Sequence, residues 1–324
     1  MLKYLLVNFG GPRHLDEIGS FLQELLCDRD VIRTRMPRLF HNWLFKRVAR
    51  KRSLKIRPDY AEIGGKSPIY FDTENLAQAL SAKLKAPVLT FHRYLPATHA
   101  ASLKKIEQSA SEIRVLPLFP QFCYATTGSI ARFFSRHLSS AACNQLRWIK
   151  SYAAHPAFTA AYRKRIAHFL DQHRLKEEDT VLLFSAHGIP LSFIAAGDIY
   201  ESECKQSFKE VLKGFPNALG RLSYQSKFGP EEWLQPYTNE VCEKILEWNE
   251  KRTHVVIVPI TFTSDHIETL YEIEKLYLPP IRAKNIQAYR CPALNLEPYW
   301  IEALAQIAGE TNLCDNSMLI RGKT

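Results

Sequence analysis

The chain has 324 residues, 46% of them hydrophobic, and carries 43 Lys and Arg against 33 Asp and Glu, a formal net charge of +10. That length and apolar content point to an ordinary globular protein of one large or two medium domains. No apolar run reaches the roughly 18 residues that cross a bilayer, and MLKYLLVNFGG has only a short apolar stretch, so neither a membrane span nor a signal peptide is expected.

In chain order, the first β-rich run is KYLLVNF at 3–9, followed by NFGGP. Next comes the charge: from Arg33 to Arg57 there are ten Lys/Arg and no acid, interleaved with Met36, Leu39, Phe40, Trp43, Leu44, Phe45 and Val48. Such a basic amphipathic element suits an anionic membrane face or the mouth of a site for an amphipathic anion. The alternative is a solvated cationic helix with its apolar side in the core. Further runs at 87–94, 113–119 and 146–152 complete a first set of four strands. A second set follows at 180–187, 221–226, 254–262 and 285–290.

Apolar strands separated by helix-length segments are the signature of βαβ units with parallel sheets. The expected fold class is therefore α/β, two Rossmann-like domains, each with a four-stranded parallel sheet flanked by helices. The expected division is 1–160 for the first domain and 161–294 for the second, with the C-terminal helix segment 295–324 packing back on the first. Ligands of open parallel sheets sit beyond the carboxyl ends of strands, where NFGGP, PQFCYATTGS, SAHGIP and ITFTSDHIETLYE all fall.

His187 of SAHGIP closes an apolar strand and precedes Gly188 and Pro190, so its imidazole can project from the sheet edge as a base or a ligand for a borderline metal. A hydrogen-bonded loop histidine is the plainer alternative. In TSDHIETLYEIEKLY, Asp265, Glu268 and Glu272 fall at i, i+3 and i+7 of a helix capped by Thr263 or Ser264, a spacing that puts three carboxylates on one face beside His266. That row serves proton or cation transfer, or is a solvated face matched to the helix dipole. Arg93 and Tyr94 in FHRYLP offer a guanidinium and a phenol to a ligand carboxylate, and equally to a structural ion pair. Neither GxGxxG nor GxxxxGK[ST] is present, which leaves a nucleotide site unsupported.

Seven scattered cysteines, without a CxxC pair, argue against a disulfide framework and for a reducing cytoplasm. With Cys314 alone in the C-terminal tail, no iron–sulfur cluster is expected.

Together these segments resemble the ferrochelatase family through nearly the whole chain, from LLVNFGGP through IGGKSPI, FHRYLP, PQFCYATTGSI, SAHGIP and YQSKFGPEEWLQP to ITFTSDHIETLYEIE and CPALN. The resemblance implies two Rossmann-like domains holding a porphyrin in the cleft between them. It implies a lyase of the metal-chelatase type that inserts Fe(II) into protoporphyrin IX and releases two protons, with iron as substrate and no tightly bound cofactor. It assigns His187 and Glu268 as the central catalytic and metal-handling pair. Asp265, His266 and Glu272 match the family's proton or metal path, and Phe9, Arg93, Tyr94, Tyr124 and Trp233 match or lie beside positions that frame the macrocycle. Phe9 stands where a coproporphyrin-acting branch carries a tyrosine, which favours protoporphyrin. A cluster-free bacterial form is implied, cytoplasmic or peripheral on the inner face of the membrane. The competing readings are a chelatase for coproporphyrin or another tetrapyrrole, and a tetrapyrrole carrier without turnover. A nucleic-acid role is weakest, since no matching motif accompanies the basic charge.

Overall fold

The eight expected runs form strands, the inner ones because each is almost continuously apolar and covered on both faces, while the edge strands are more polar and half-buried. In a computed structural model, which describes residues 2–322, these are β1 (Lys3–Asn8), β2 (Val88–His92), β3 (Ile113–Pro117), β4 (Leu146–Trp148), β5 (Thr180–His187), β6 (Leu219–Gln225), β7 (His254–Val258) and β8 (Gln287–Arg290). The chain divides into two units, one of Met1–Ser151 with Leu304–Thr324 and the other of Tyr152–Ala303.

The first unit's sheet runs β2-β1-β3-β4-β9 and the second's β6-β5-β7-β8. All pairs are parallel except the last of the first sheet, where β9 (Cys314–Asp315) lies antiparallel on β4. The first sheet thus has five strands rather than four. The added one covers an edge of β4 that would otherwise expose unpaired backbone groups, and Arg147 pairs with Asp315 across it. The second unit begins at Tyr152, ahead of residue 161, because the helix Pro156–Gln172 is committed to it. Tyr162 reaches the carbonyls of Pro259 and Phe262 at 2.8 and 2.7 Å, and Phe158 packs its ring on Trp300.

Both sheets share one topology. The second-numbered strand lies to one side of the first and the later strands to the other, so the order reverses beside β1 and beside β5, and those strand ends are where ligands of such sheets bind. The cores are the strands' own side chains with the flanking helices: Leu5, Val7, Val115 and Trp148 in one unit, Val181, Leu183, Val255 and Ile257 in the other, all fully buried.

The basic segment forms the long helix Arg38–Glu62. Only His41, Ala49 and Tyr60 of it are buried, while Leu39 is 87% exposed, Leu54 72%, and Phe40 and Trp43 about half. Part of its apolar side faces inward, as the simpler sequence reading has it, with Ala49 and Tyr60 buried and Leu44 and Phe45 half-buried, but several large apolar side chains are left exposed. Phe40 stacks on Trp43, and the Arg47 guanidinium lies 5.1 Å from the Trp43 ring. Among the described residues, no helix is long and apolar enough to cross a membrane.

Candidate active site

The second unit's switch point is built from the ends of β5 and β7. At the first of these, His187 is fixed by every polar group except one. Its backbone N–H donates to Thr261 Oγ1 at 3.1 Å, its carbonyl accepts from the Tyr200 hydroxyl at 2.9 Å, and its Nδ1 lies 2.5 Å from the Gly188 carbonyl. A carbonyl only accepts, so Nδ1 carries a hydrogen, and in the neutral imidazole Nε2 keeps the lone pair. That nitrogen lies 3.7 Å from Glu268 Oε1. Gly188 leaves room for a close approach: a Cβ there would lie 3.0 Å from the Gln225 carbonyl and 3.1 Å from the Trp233 ring, so these neighbours would have to give way.

Beyond β7 the segment Pro259–Ile267 turns before a helix begins. His266 Nε2 lies 3.4 Å from Glu268 Oε2, and the Phe262 ring packs 4.6 Å from His266 and 6.3 Å from His187. Glu268 thus has an imidazole on each side of it. The helix it opens, Glu268–Tyr277, is a π-helix, a rare wide turn that recurs at functional sites. Its backbone carbonyl at Glu268 accepts from Gln225 Nε2 at 3.1 Å, and Gln225 Oε1 in turn accepts from Ser185 of the SAH segment at 2.6 Å.

Glu272 sits one turn further on. Its carboxylate accepts from the Ser226 hydroxyl at 2.6 Å and the Tyr277 hydroxyl at 3.2 Å. Burial, reinforced by the negative charge of Glu268, pushes it up to about 7, with its two hydrogen bonds and His187 opposing. A carboxyl poised there exchanges protons at neutral pH.

Asp265 does not join this row. It precedes the helix, is buried, and turns its carboxylate toward Arg290 and Asn295, 2.9 and 2.8 Å away. The sequence expectation of three carboxylates on one α-helical face fails here, because the helix starts only at Glu268 and the turn before it points its acid inward. Thr263 and Ser264 make no cap.

The residues expected to frame a macrocycle are distributed between the units. Trp233 is buried in the second, its ring 6.3 Å from that of His187. In the first unit, Phe9 follows β1 and contacts Tyr94 at 4.9 Å and Phe119 at 5.2 Å. The preceding strand can turn so sharply because Gly10 adopts φ +76°, where a Cβ would also strike His92. Arg93 and Tyr94 are buried and committed to Asp28. The guanidinium donates to Asp28 Oδ2 at 2.8 Å and the phenol at 3.0 Å, joined by Ser129 at 2.5 Å. Of the two sequence readings for this pair, the structural ion pair is the one observed, and Tyr94 acts as backing for the Phe9 ring. Tyr124 opens a short helical turn and packs on Phe122 beside the first core.

Thr261, Tyr200, Gln225, Ser226, Tyr277, Arg290 and Asn295 do the holding, and none was singled out from sequence. Thr261, Gln225, Ser226 and Asn295 lie within segments that carried the family likeness, which was the available signal. Among the described residues no group of three or more His, Cys, Asp or Glu forms a ready metal centre, so the imidazole and carboxylate are an open donor set rather than a closed structural site.

Two solved structures share the fold. SirB from Bacillus subtilis with Fe3+ matches at TM-score 0.53 and 14% identity, covering 95% of this chain and 96% of that one. CbiX, the terminal enzyme for biosynthesis of siroheme in denitrifying bacteria, matches at TM-score 0.51 and 17% identity, covering 75% of this chain and 93% of that one. In sequence, the chain is 46% identical to the ferrochelatase of Chlamydia felis over 98% of both chains, and 45% identical to that of Chlamydia trachomatis serovar A over 95% of both. The family model for ferrochelatase matches residues 4–312, and the chain therefore belongs to the ferrochelatase family.

Proposed function

We propose that this protein is a metal chelatase, a lyase that inserts Fe(II) into protoporphyrin IX to give protohaem, releasing the two pyrrole protons, as the last step of haem synthesis. The observation that carries this reading is the pairing of a lone-pair-bearing His187 Nε2 with Glu268 3.7 Å away, at the carboxyl ends of β5 and β7. Iron(II) is a borderline cation served by nitrogen and oxygen donors. One of each holds the ion while leaving its other positions to the four ring nitrogens. Planar porphyrin resists metallation because its N–H groups point at one another, so an apolar wall that tilts the pyrroles favours the reaction. Trp233, its ring 6.3 Å from that of His187, is the aromatic side chain we assign to that wall, and Phe9 is assigned to macrocycle contact on the family resemblance. The protons leave through a base, and Glu272, held at about 7, is matched to receive them near neutral pH.

Phe9 has no hydroxyl to ligate iron, which supports protoporphyrin over coproporphyrin as the substrate. No tightly bound cofactor and no iron–sulfur cluster enter this reading. The helix Arg38–Glu62 supports a cytoplasmic enzyme that associates peripherally with an anionic membrane face, since it presents exposed aliphatic and aromatic side chains beside eight Lys and Arg.

Anaerobic incubation with Fe(II), or with Zn(II) as surrogate, and protoporphyrin or coproporphyrin side by side, followed by absorbance, tests the reaction and its substrate. His187→Ala and Glu268→Ala are expected to keep porphyrin binding while turnover falls at least about tenfold, roughly 1.4 kcal/mol of barrier. Wild-type rates in both variants would remove the assignment.

A further inference from the structure

We infer that Arg290 and Asn295 are positioning residues for the chelatase reaction proposed above, and that Asp265 is the buried post to which they fasten the turn carrying His266 and Glu268, not a station on a proton path. The Asp265 carboxylate is surrounded by donors. Oδ1 accepts from Arg290 Nη1 at 2.9 Å, Thr269 Oγ1 at 2.8 Å and the Ala293 N–H at 3.4 Å, and Oδ2 accepts from Asn295 Nδ2 at 2.8 Å. A carboxylate has about four acceptor positions. Four donors hold this one, three on Oδ1 and one on Oδ2, and its side chain is 9% exposed, so the carboxylate is spent mainly on anchoring.

Asn295 completes a reciprocal clamp. Its side-chain carbonyl accepts the Asp265 N–H at 2.8 Å while its amide donates to the same residue's carboxylate, and its own N–H holds the Thr263 carbonyl at 2.8 Å. Its backbone is left-handed, φ +47°, a conformation that Asn tolerates better than most residues. Such local strain persists where surrounding contacts over-determine it. Arg290 acts at both ends of the turn. It sits on β8 in register with Ile257 of β7, so the sheet fixes its position, and its Nε also reaches Glu274 Oε1 of the π-helix at 3.3 Å. Glu268 lies between these two tied points, Asp265 and Glu274. Thr269 adds the last stitch by accepting the His266 N–H at 3.0 Å. The orientation of His266 and Glu268 is thus dictated by a guanidinium and an amide on the far side of the turn, which themselves touch no reacting atom.

The test uses the full chain. Asn295→Gly keeps the left-handed backbone and removes the clamp; Arg290→Lys keeps the charge and removes the fork. Both are expected to fold by circular dichroism, to bind protoporphyrin within about twofold of wild type, and to lose at least about tenfold in kcat with a raised KM for Zn(II). Should one variant fail to fold, the other carries the measurement. Asp265→Asn is expected to lose turnover, and the exchange Asp265→Asn with Asn295→Asp, which restores a carboxylate–amide pair facing Arg290, is expected to recover at least about threefold of it. Wild-type kcat in the folded variants, or no recovery in the exchange, overturns the positioning role. Failure of wild type to metallate any porphyrin instead overturns the proposed reaction. In that event Zn(II) titration of the porphyrin-free wild type and variants decides the present inference alone: weaker binding in the variants supports it and equal binding overturns it.

Discussion

Replacing Glu272 by Gln perturbs one atom of the site and has a pH signature that can be worked out beforehand. In the folded protein the carboxyl is raised to about 7 from an ordinary 4.5, chiefly by burial. A raised carboxyl means that the folded state holds the proton more tightly than the unfolded one. The stability this confers is complete below about pH 4.5 and is lost as pH rises through about 7, so the ionised side chain is a liability above neutrality. At about 1.4 kcal/mol per unit, the difference sets an upper bound of about 3 kcal/mol, and the screening by Glu272's remaining solvent contact reduces it to about 1–2. Gln is always neutral, and its carbonyl can still accept from Ser226 and Tyr277. Urea unfolding of both proteins at about pH 5 and about pH 8 gives two differences, and the second minus the first cancels the titrating groups that do not interact with Glu272. The variant is expected to gain about 1–2 kcal/mol on the wild type between those values. An identical difference at both would show that Glu272 titrates normally, and its role as a proton acceptor near neutrality would fall with it.

Two further outcomes follow from the first unit. Replacing Arg50, Lys51 and Arg52 with Gln is expected to weaken partitioning onto anionic vesicles at low salt at least about tenfold, at about 1 kcal/mol per basic residue near the surface. Unchanged partitioning in co-sedimentation, or equal binding to zwitterionic vesicles, would count against a membrane role for the helix. Arg93→Met, which leaves Asp28 buried without its cation, is expected to lower stability by about 3 kcal/mol in urea unfolding; a change within error would mean that the guanidinium is not structural.

The strands were legible because covered parallel strands need unbroken apolar runs, and TVLLFSAH or HVVIVPI has no other use for so many branched residues. The place of His187 was legible for a related reason, since it ends such a run and so lies at the sheet edge, whereas Glu268 comes only after the turn Pro259–Ile267 that follows β7 and was marked by the family likeness of its segment. What escaped was set by distance in sequence. Nothing within DHIETLYE says that Asp265 will be claimed by Arg290 and Asn295, 25 and 30 residues further on, and without that capture an α-helical row of acids is the natural reading of the spacing. The π-helix escaped likewise, since its widened turn is held by Gln225, Ser226 and Arg290 from other elements and not by any local propensity. Arg93 was ambiguous because its partner, Asp28, lies 65 residues before it. Cys314 and Asp315 are too short a run to read as a strand and become one only because β4 has an open edge.

The two units use one strand order for opposite chemistry. Beside β1 the switch point carries Phe9 and Phe119 on a bed of Tyr94, an apolar surface whose nearest charges, Arg93 and Asp28, cancel each other underneath. Beside β5 the same topological position carries two imidazoles and two carboxylates, with the rings of Phe262 and Trp233 against the imidazoles. Repeating a fold does not repeat its site, because the strands supply only the place and the residues after them supply the chemistry. A flat apolar ligand that must also exchange protons for a cation calls on both kinds of chemistry, and variants confined to one edge should separate ring binding from metal handling. Substitution at Phe9 is expected to weaken porphyrin binding without loss of metal affinity, and substitution at Glu268 to do the reverse.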